Sequence, residues 1–193
     1  MRGGDETFQG AARDRGFRPK FVFLRSLWGA VLLIRPCSSR AHFHLGNAFA
    51  AQGRRGSAIE HWKAAVTLDP GHRKAKHNLA SALLAGGNSR EALELLAQML
   101  RERPDDLAAA LLLARAQQAA GALAEALSTS ARCVAMAPDS AVALGQLGLI
   151  YLRLGQAAQA AEWLERAQAA DRNGSKFENA LRVARARLDS SGP

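Results

Sequence analysis

Aromatic residues are scarce in this 193-residue chain: seven Phe, three Trp and one Tyr, 6% in all. Strand-favouring Ile and Thr are few as well, so little is available to build a β-rich core. The two cysteines, Cys37 and Cys133, fit no metal or redox spacing, and nothing argues for a disulfide framework. Cys133 falls inside a helical pattern and reads as a small buried residue. No Gly-rich phosphate loop, nucleophile elbow or pair of carboxylates on one helical face occurs. No enzyme activity and no cofactor are therefore expected of this chain. What remains is a 48% apolar composition resting on Ala and Leu, both good helix formers. An all-α protein follows.

Acidic residues are few at one end. Residues 1–77 hold 14 Lys and Arg against 5 Asp and Glu, whereas residues 78–193 hold 12 of each. The whole formal charge of +9 therefore belongs to the front of the chain. A charge so confined points to an anionic partner or surface there, or to a solvated basic end.

The strongest signal is a period. Pro36, Pro70, Pro104 and Pro138 are 34 residues apart, and so are Gly53, Gly87, Gly121 and Gly155. Ala58, Ala92, Ala126 and Ala160 keep the same frame, as do Leu45, Leu79, Leu113 and Leu147. Gly46, Ala80, Ala114 and Gly148 fall midway along a first helix, and the Ala column falls on a second. Small side chains at both let the two axes approach closely. The Leu column, with Phe49, Leu83 and Tyr151 one turn on, forms the first helix's apolar stripe, and Trp62, Leu96 and Leu164 do the same for the second. The Gly column permits the left-handed conformation that ends the first helix, and each Pro stops the second.

The period, with Leu45-Gly46-Asn47-Ala48, Gly53, Ala58-Ile59, Trp62, Ala65 and Leu68-Asp69-Pro70, closely resembles the tetratricopeptide repeat (TPR). The resemblance covers four repeats, 39–72, 73–106, 107–140 and 141–174. It implies a right-handed superhelical solenoid of helix-turn-helix units. Some positions depart from the pattern. His42, Lys76 and Ala110 stand where a bulky apolar residue is expected early in the first helix. Gln117 and Ser130 weaken the third repeat, which should be the loosest packed. Lys176–Asp189, within residues 175–189, places Phe177, Leu181, Ala184 and Leu188 on one stripe and reads as a capping helix.

Residues 1–20 carry no periodicity and suit a disordered basic terminus. Residues 21–38 contain the apolar stretch Phe21–Ile34, which has three readings. It is the second helix of a degenerate leading repeat, with Trp28, Val31, Leu32 and Ile34 in the columns of Trp62, Ala65, Val66 and Leu68. It is the core of a signal peptide, although Arg25 interrupts it and Arg35 lies near the cleavage site. Or it is an interfacial membrane anchor, too short to span a bilayer. The cytoplasm is the default compartment, with membrane association or export as the alternatives.

The five His lie within 36 residues of one another, but no pair has helical metal-ligand spacing completed by a carboxylate or Cys. Arg54-Arg55, Lys63, Arg73, Lys74 and Lys76 raise nucleic acid as a partner, but no aromatic residues interleave with them for base stacking. The TPR resemblance instead implies a protein partner in a concave groove lined by the first helices. It places Arg40, Phe43, Asn47 and Ala50 there, then Lys74, His77, Ser81 and Leu84, then Leu111, Arg115 and Gln118, ending near Gly145, Leu149 and Leu152. The expected ligand is an extended or helical segment, acidic over Lys74 and Arg115. Asn47 and Lys74 match two places of the TPR type that grips acidic chaperone tails; His77, Ala108 and Leu112 leave the others empty. The alternative role is a regulatory repeat subunit beside an enzyme such as a glycosyltransferase or sulfotransferase.

Overall fold

The computed structural model describes residues 27–33, 35–171 and 176–190. Among them there are ten helices and no strand. The chain divides into two compact units, residues 1–72 and 73–193.

The first unit contains α1 (residues 27–33), α2 (Ser39–Ala51) and α3 (Arg55–Leu68). Ser38 caps α2, its Oγ accepting the Ala41 N–H at 3.2 Å. Gly53 then turns the chain with φ +74°, the region a side chain disfavours. The pair closes on Ala41, Leu45, Ala48, Ala58, Trp62 and Ala65, all 5% exposed or less. Gly46 makes room for the Trp62 indole: a Cβ there would lie 2.5 Å from Nε1. The Ser39 hydroxyl donates to the Ala65 carbonyl at 2.9 Å and ties the far ends together.

The second unit repeats this three times and adds a cap. Its pairs are α4 (Arg73–Ala85) with α5 (Ser89–Glu102), α6 (Leu107–Ala119) with α7 (Leu123–Met136), and α8 (Ala141–Arg153) with α9 (Ala157–Ala170); α10 (Glu178–Ser190) follows. Asp106 and Ser140 cap α6 and α8 by accepting the Ala109 and Ala143 N–H groups. They share a 34-residue column with Ser38, a capping signal that was readable in the sequence.

Three expectations need correction. Lys76 does not leave a gap in an apolar column: it is 1% exposed, and its Nζ donates to both oxygens of Glu102 at 2.8 and 2.9 Å. The butyl stem replaces the missing apolar side chain and the carboxylate neutralises its end. The third repeat is not loosely closed, since Ala110, Ala114, Ala126, Ser130 and Cys133 are all fully buried. Small side chains draw its helices together; the defect is chemical, leaving Gln117 Oε1 and Ser130 Oγ buried without hydrogen-bond partners. Leu188 is 37% exposed, so the apolar stripe of α10 ends with Phe177, Leu181 and Ala184.

Phe177, just before α10, sets how the cap meets α8. It continues the fully buried column Ala41, Ala75, Ala109 and Ala143, but with a ring in place of a methyl. Gly145 receives that ring: a Cβ there would lie 2.1 Å from it. Gly145, expected in the groove, is thus roofed by the chain's own cap, and Leu149 and Leu152 pack against the same cluster.

Candidate functional site

The candidate residues fall into two sets, one in each compact unit. In the first, Arg40, Phe43 and Asn47 lie on α2. Arg40 is exposed. Phe43 is partly buried, its ring 5.2 Å from that of His44 and 4.8 Å from that of His72. Asn47 holds the core together, its Oδ1 accepting the Trp62 Nε1–H at 3.1 Å.

The histidines make the first unit unusual. His42 Nδ1 and His61 Nδ1 are 3.0 Å apart, a bond that requires one nitrogen to donate and the other to accept. His61 stacks on Phe49 at 5.2 Å, and Arg54 lies 4.7 Å from the centroid of the Phe49 ring. His44 stacks on Trp28 at 4.3 Å. Burial, then the neighbouring His42, pushes the His61 pKa down, with Glu60 opposing. Burial, then Arg40 and His72, does the same to His44. Among the described residues no cluster of three or more ligating side chains could hold a metal. The sequence signals this packing role only weakly, through columns that hold Lys76, Ala110 and Leu144 beside His42, and Leu95, Thr129 and Trp163 beside His61.

In the second unit Lys74, His77, Ser81 and Leu84 lie on α4, Leu111, Arg115 and Gln118 on α6, and Leu149 on α8. These three first helices are neighbours, α4 beside α6 and α6 beside α8. Gln146, 6% exposed, donates from Nε2 to the Leu111 carbonyl at 2.9 Å and locks α8 to α6. Arg153 donates to the Gln118 carbonyl at 2.7 Å. One repeat later Arg187 donates to the Leu152 carbonyl at 2.8 Å. The two arginines share a column, and each reaches the end of the preceding first helix, where carbonyls lack helical partners. Between these ties Lys74 and Arg115 are exposed, and His77, Ser81, Leu84, Leu111 and Gln118 are partly buried.

The basic run 73–76 is sorted by the fold. Arg73 pairs with Asp106 at 2.7 Å and Lys76 is buried on Glu102, which leaves Lys74 pointing outward without an ion-pair partner among the described residues. Burial would raise the Asp106 pKa, but hydrogen bonds from Arg73 and the Ala109 N–H outweigh it and hold the carboxyl low. Lys76 likewise holds Glu102 low, chiefly through its hydrogen bond. Two of the cations that suggested nucleic acid are thus committed to carboxylates of the chain itself.

Tandem helix pairs closed by Gly turns, with small residues where the axes approach, define an all-α helical-repeat protein. The family model for the tetratricopeptide repeat matches residues 49–116, 87–132 and 118–184, and the chain belongs to that family. No curated protein matches it. Among solved structures it is similar to YrrB, a TPR protein with an unusual peptide-binding site, at 18% identity and TM-score 0.71, covering 89% of this chain and 84% of that one. It is similar to TTC0263, a thermophilic TPR protein of Thermus thermophilus, at 25% identity and TM-score 0.67, covering 79% and 85%. It is also similar to MamA (41-end) of Desulfovibrio magneticus RS-1, at 19% identity and TM-score 0.67, covering 83% and 100%.

Proposed function

We propose that this chain is a non-catalytic protein-interaction module whose second unit holds a partner segment against α4 and α6. The observation that supports it is the surface the two helices share: exposed Lys74 and Arg115 around partly buried His77, Ser81, Leu84, Leu111 and Gln118. Partly buried polar and aliphatic side chains offer hydrogen bonds and apolar contact to a segment laid across them. Two outward cations without an ion-pair partner among the described residues favour carboxylates in that segment. The Phe177 cap bounds this surface at α8, so the segment engages α4 and α6 rather than running on to Gly145. YrrB, a structural relative, has a peptide-binding site, which agrees with the reading.

The test is to pan a displayed random-peptide library on the whole chain and to measure selected peptides by fluorescence anisotropy. Acidic peptides should emerge, and Lys74→Glu with Arg115→Glu should weaken them about tenfold or more, with an unchanged melting curve. Selection of basic or uncharged peptides, or affinity indifferent to the double reversal, refutes the reading.

A further inference from the structure

The repeat supplies its own standard for judging α1. Residues 30 and 33 of α1 stand in columns continued by Ala64, Gln98, Arg132 and Arg166, and by Thr67, Arg101, Ala135 and Ala169. All of these except the partly buried Ala64 are exposed, and all are polar or small. They mark the wet side of a second helix. In α1 that side carries Leu33, which is 88% exposed, with Ala30 one turn before it; Leu27, two turns before, is 46% exposed although its column holds the partly buried His61, Leu95, Thr129 and Trp163. Three apolar residues at i, i+3 and i+6 make one stripe. The opposite side is already engaged, since Trp28 lies stacked on His44. Turning the stripe inward would break that contact.

Charge says what meets the stripe. Within residues 13–35 the sequence has Arg13, Arg15, Arg18, Lys20, Arg25 and Arg35 against Asp14 alone, so cations flank the apolar stretch on both sides. Among the described residues no helix is long and apolar enough to cross a membrane. A short helix with an outward aliphatic stripe and flanking cations is suited to lie in the headgroup plane, leucines among acyl chains and cations on lipid phosphates or carboxylates. We propose that α1 docks the protein on an anionic lipid surface through Leu27, Ala30 and Leu33, with Arg35 at the headgroups. This face belongs to the first unit and owes nothing to the peptide-binding reading of the second.

The experiment is co-sedimentation of the full chain with phosphatidylcholine vesicles, with and without phosphatidylserine. Phosphatidylserine should tighten binding about tenfold, and added salt should reverse most of that gain. Leu33→Ser should weaken binding to the anionic vesicles about tenfold, because one leucine side chain leaves the acyl layer. Val142→Ser, at an apolar position on α8 that is 44% exposed, should have no effect. Both variants should melt like the parent, since each site faces solvent. Absence of binding to phosphatidylserine vesicles overturns the proposal, as does equal binding by Leu33→Ser. So does a dimer in sedimentation equilibrium that Leu33→Ser converts to monomer, because the stripe would then be covered by a second copy.

Discussion

Replacing Gly46 with Ala tests the packing of the first unit at its tightest point. The added methyl would lie 2.5, 2.6 and 2.9 Å from Trp62 Nε1, Cδ1 and Cε2. The indole has little freedom to yield, being 5% exposed and bonded through Nε1 to Asn47. Overpacking of this kind costs about 1–3 kcal/mol. Ala is favoured over Gly within a helix by about 1 kcal/mol, which offsets part of the strain. The net expectation is a loss of up to about 2 kcal/mol. Gly56 on α3 supplies the control, because a Cβ there meets nothing within 4 Å. Gly56→Ala should be neutral or raise stability by up to about 1 kcal/mol. In a Trp62→Leu background the Gly46→Ala penalty should vanish, since the methyl then has room; that coupling separates a steric clash from a general effect on α2. Urea unfolding followed by circular dichroism reads all of these variants. A Gly46→Ala protein as stable as Gly56→Ala, or a penalty that survives Trp62→Leu, refutes the argument.

The other expectations concern polar groups in the core and pH. Ser130→Ala removes a fully buried hydroxyl that has no partner among the described residues, so it should stabilise by up to about 1 kcal/mol in the same urea assay. Lys76→Met keeps the stem and removes the charge from the core while leaving the half-exposed Glu102 to water, so the melting temperature should hold or rise; Glu102→Gln, which strands the ammonium, should lower it. The two depressed histidines bind protons more readily when unfolded. Stability should therefore fall as pH drops below their ordinary value of 6.5, and His61→Phe should flatten part of that fall. Glu102 and Asp106, also depressed, contribute stability that is present above their ordinary values of 4.5 and 3.8 and lost as pH falls past them, so a second decline in melting temperature belongs there.

The helix pairs were legible because the residues that set them are local and recur. Gly turns, small-residue columns and the Leu stripe act through backbone conformation and the distance between two adjacent helices. Where a column was broken, the sequence could not say what would fill it. Lys76 reads as a defect until Glu102, 26 residues away, is seen to meet its ammonium at the surface. His42 stands in the sequence where a bulky apolar residue is expected, and nothing there shows that its Nδ1 meets that of His61 at 3.0 Å. The fate of Gly145 depended on a ring beyond the last repeat, which occupies an alanine column and needs a glycine opposite it. The repeat frame set Lys74 apart from Arg73 and Lys76, but the partners of those two, Asp106 and Glu102, depend on which carboxylates come within reach. Of the apolar stretch 21–34, residues 21–26 and 34 lie outside the described residues, as do residues 1–20. The described part, α1, packs Trp28 against α2 and leaves Leu33 outward.

Photocrosslinking locates the partner segment directly. A benzophenone amino acid at Ser81 on α4 or Leu111 on α6, both partly buried, is compared with one at Ala131, exposed on α7. With an acidic peptide selected by panning, adducts should form from Ser81 and Leu111, not from Ala131, and disappear when Lys74 and Arg115 are reversed to Glu. Adducts from Ala131, or adducts that survive the charge reversal, would contradict the assignment of this face as the binding surface.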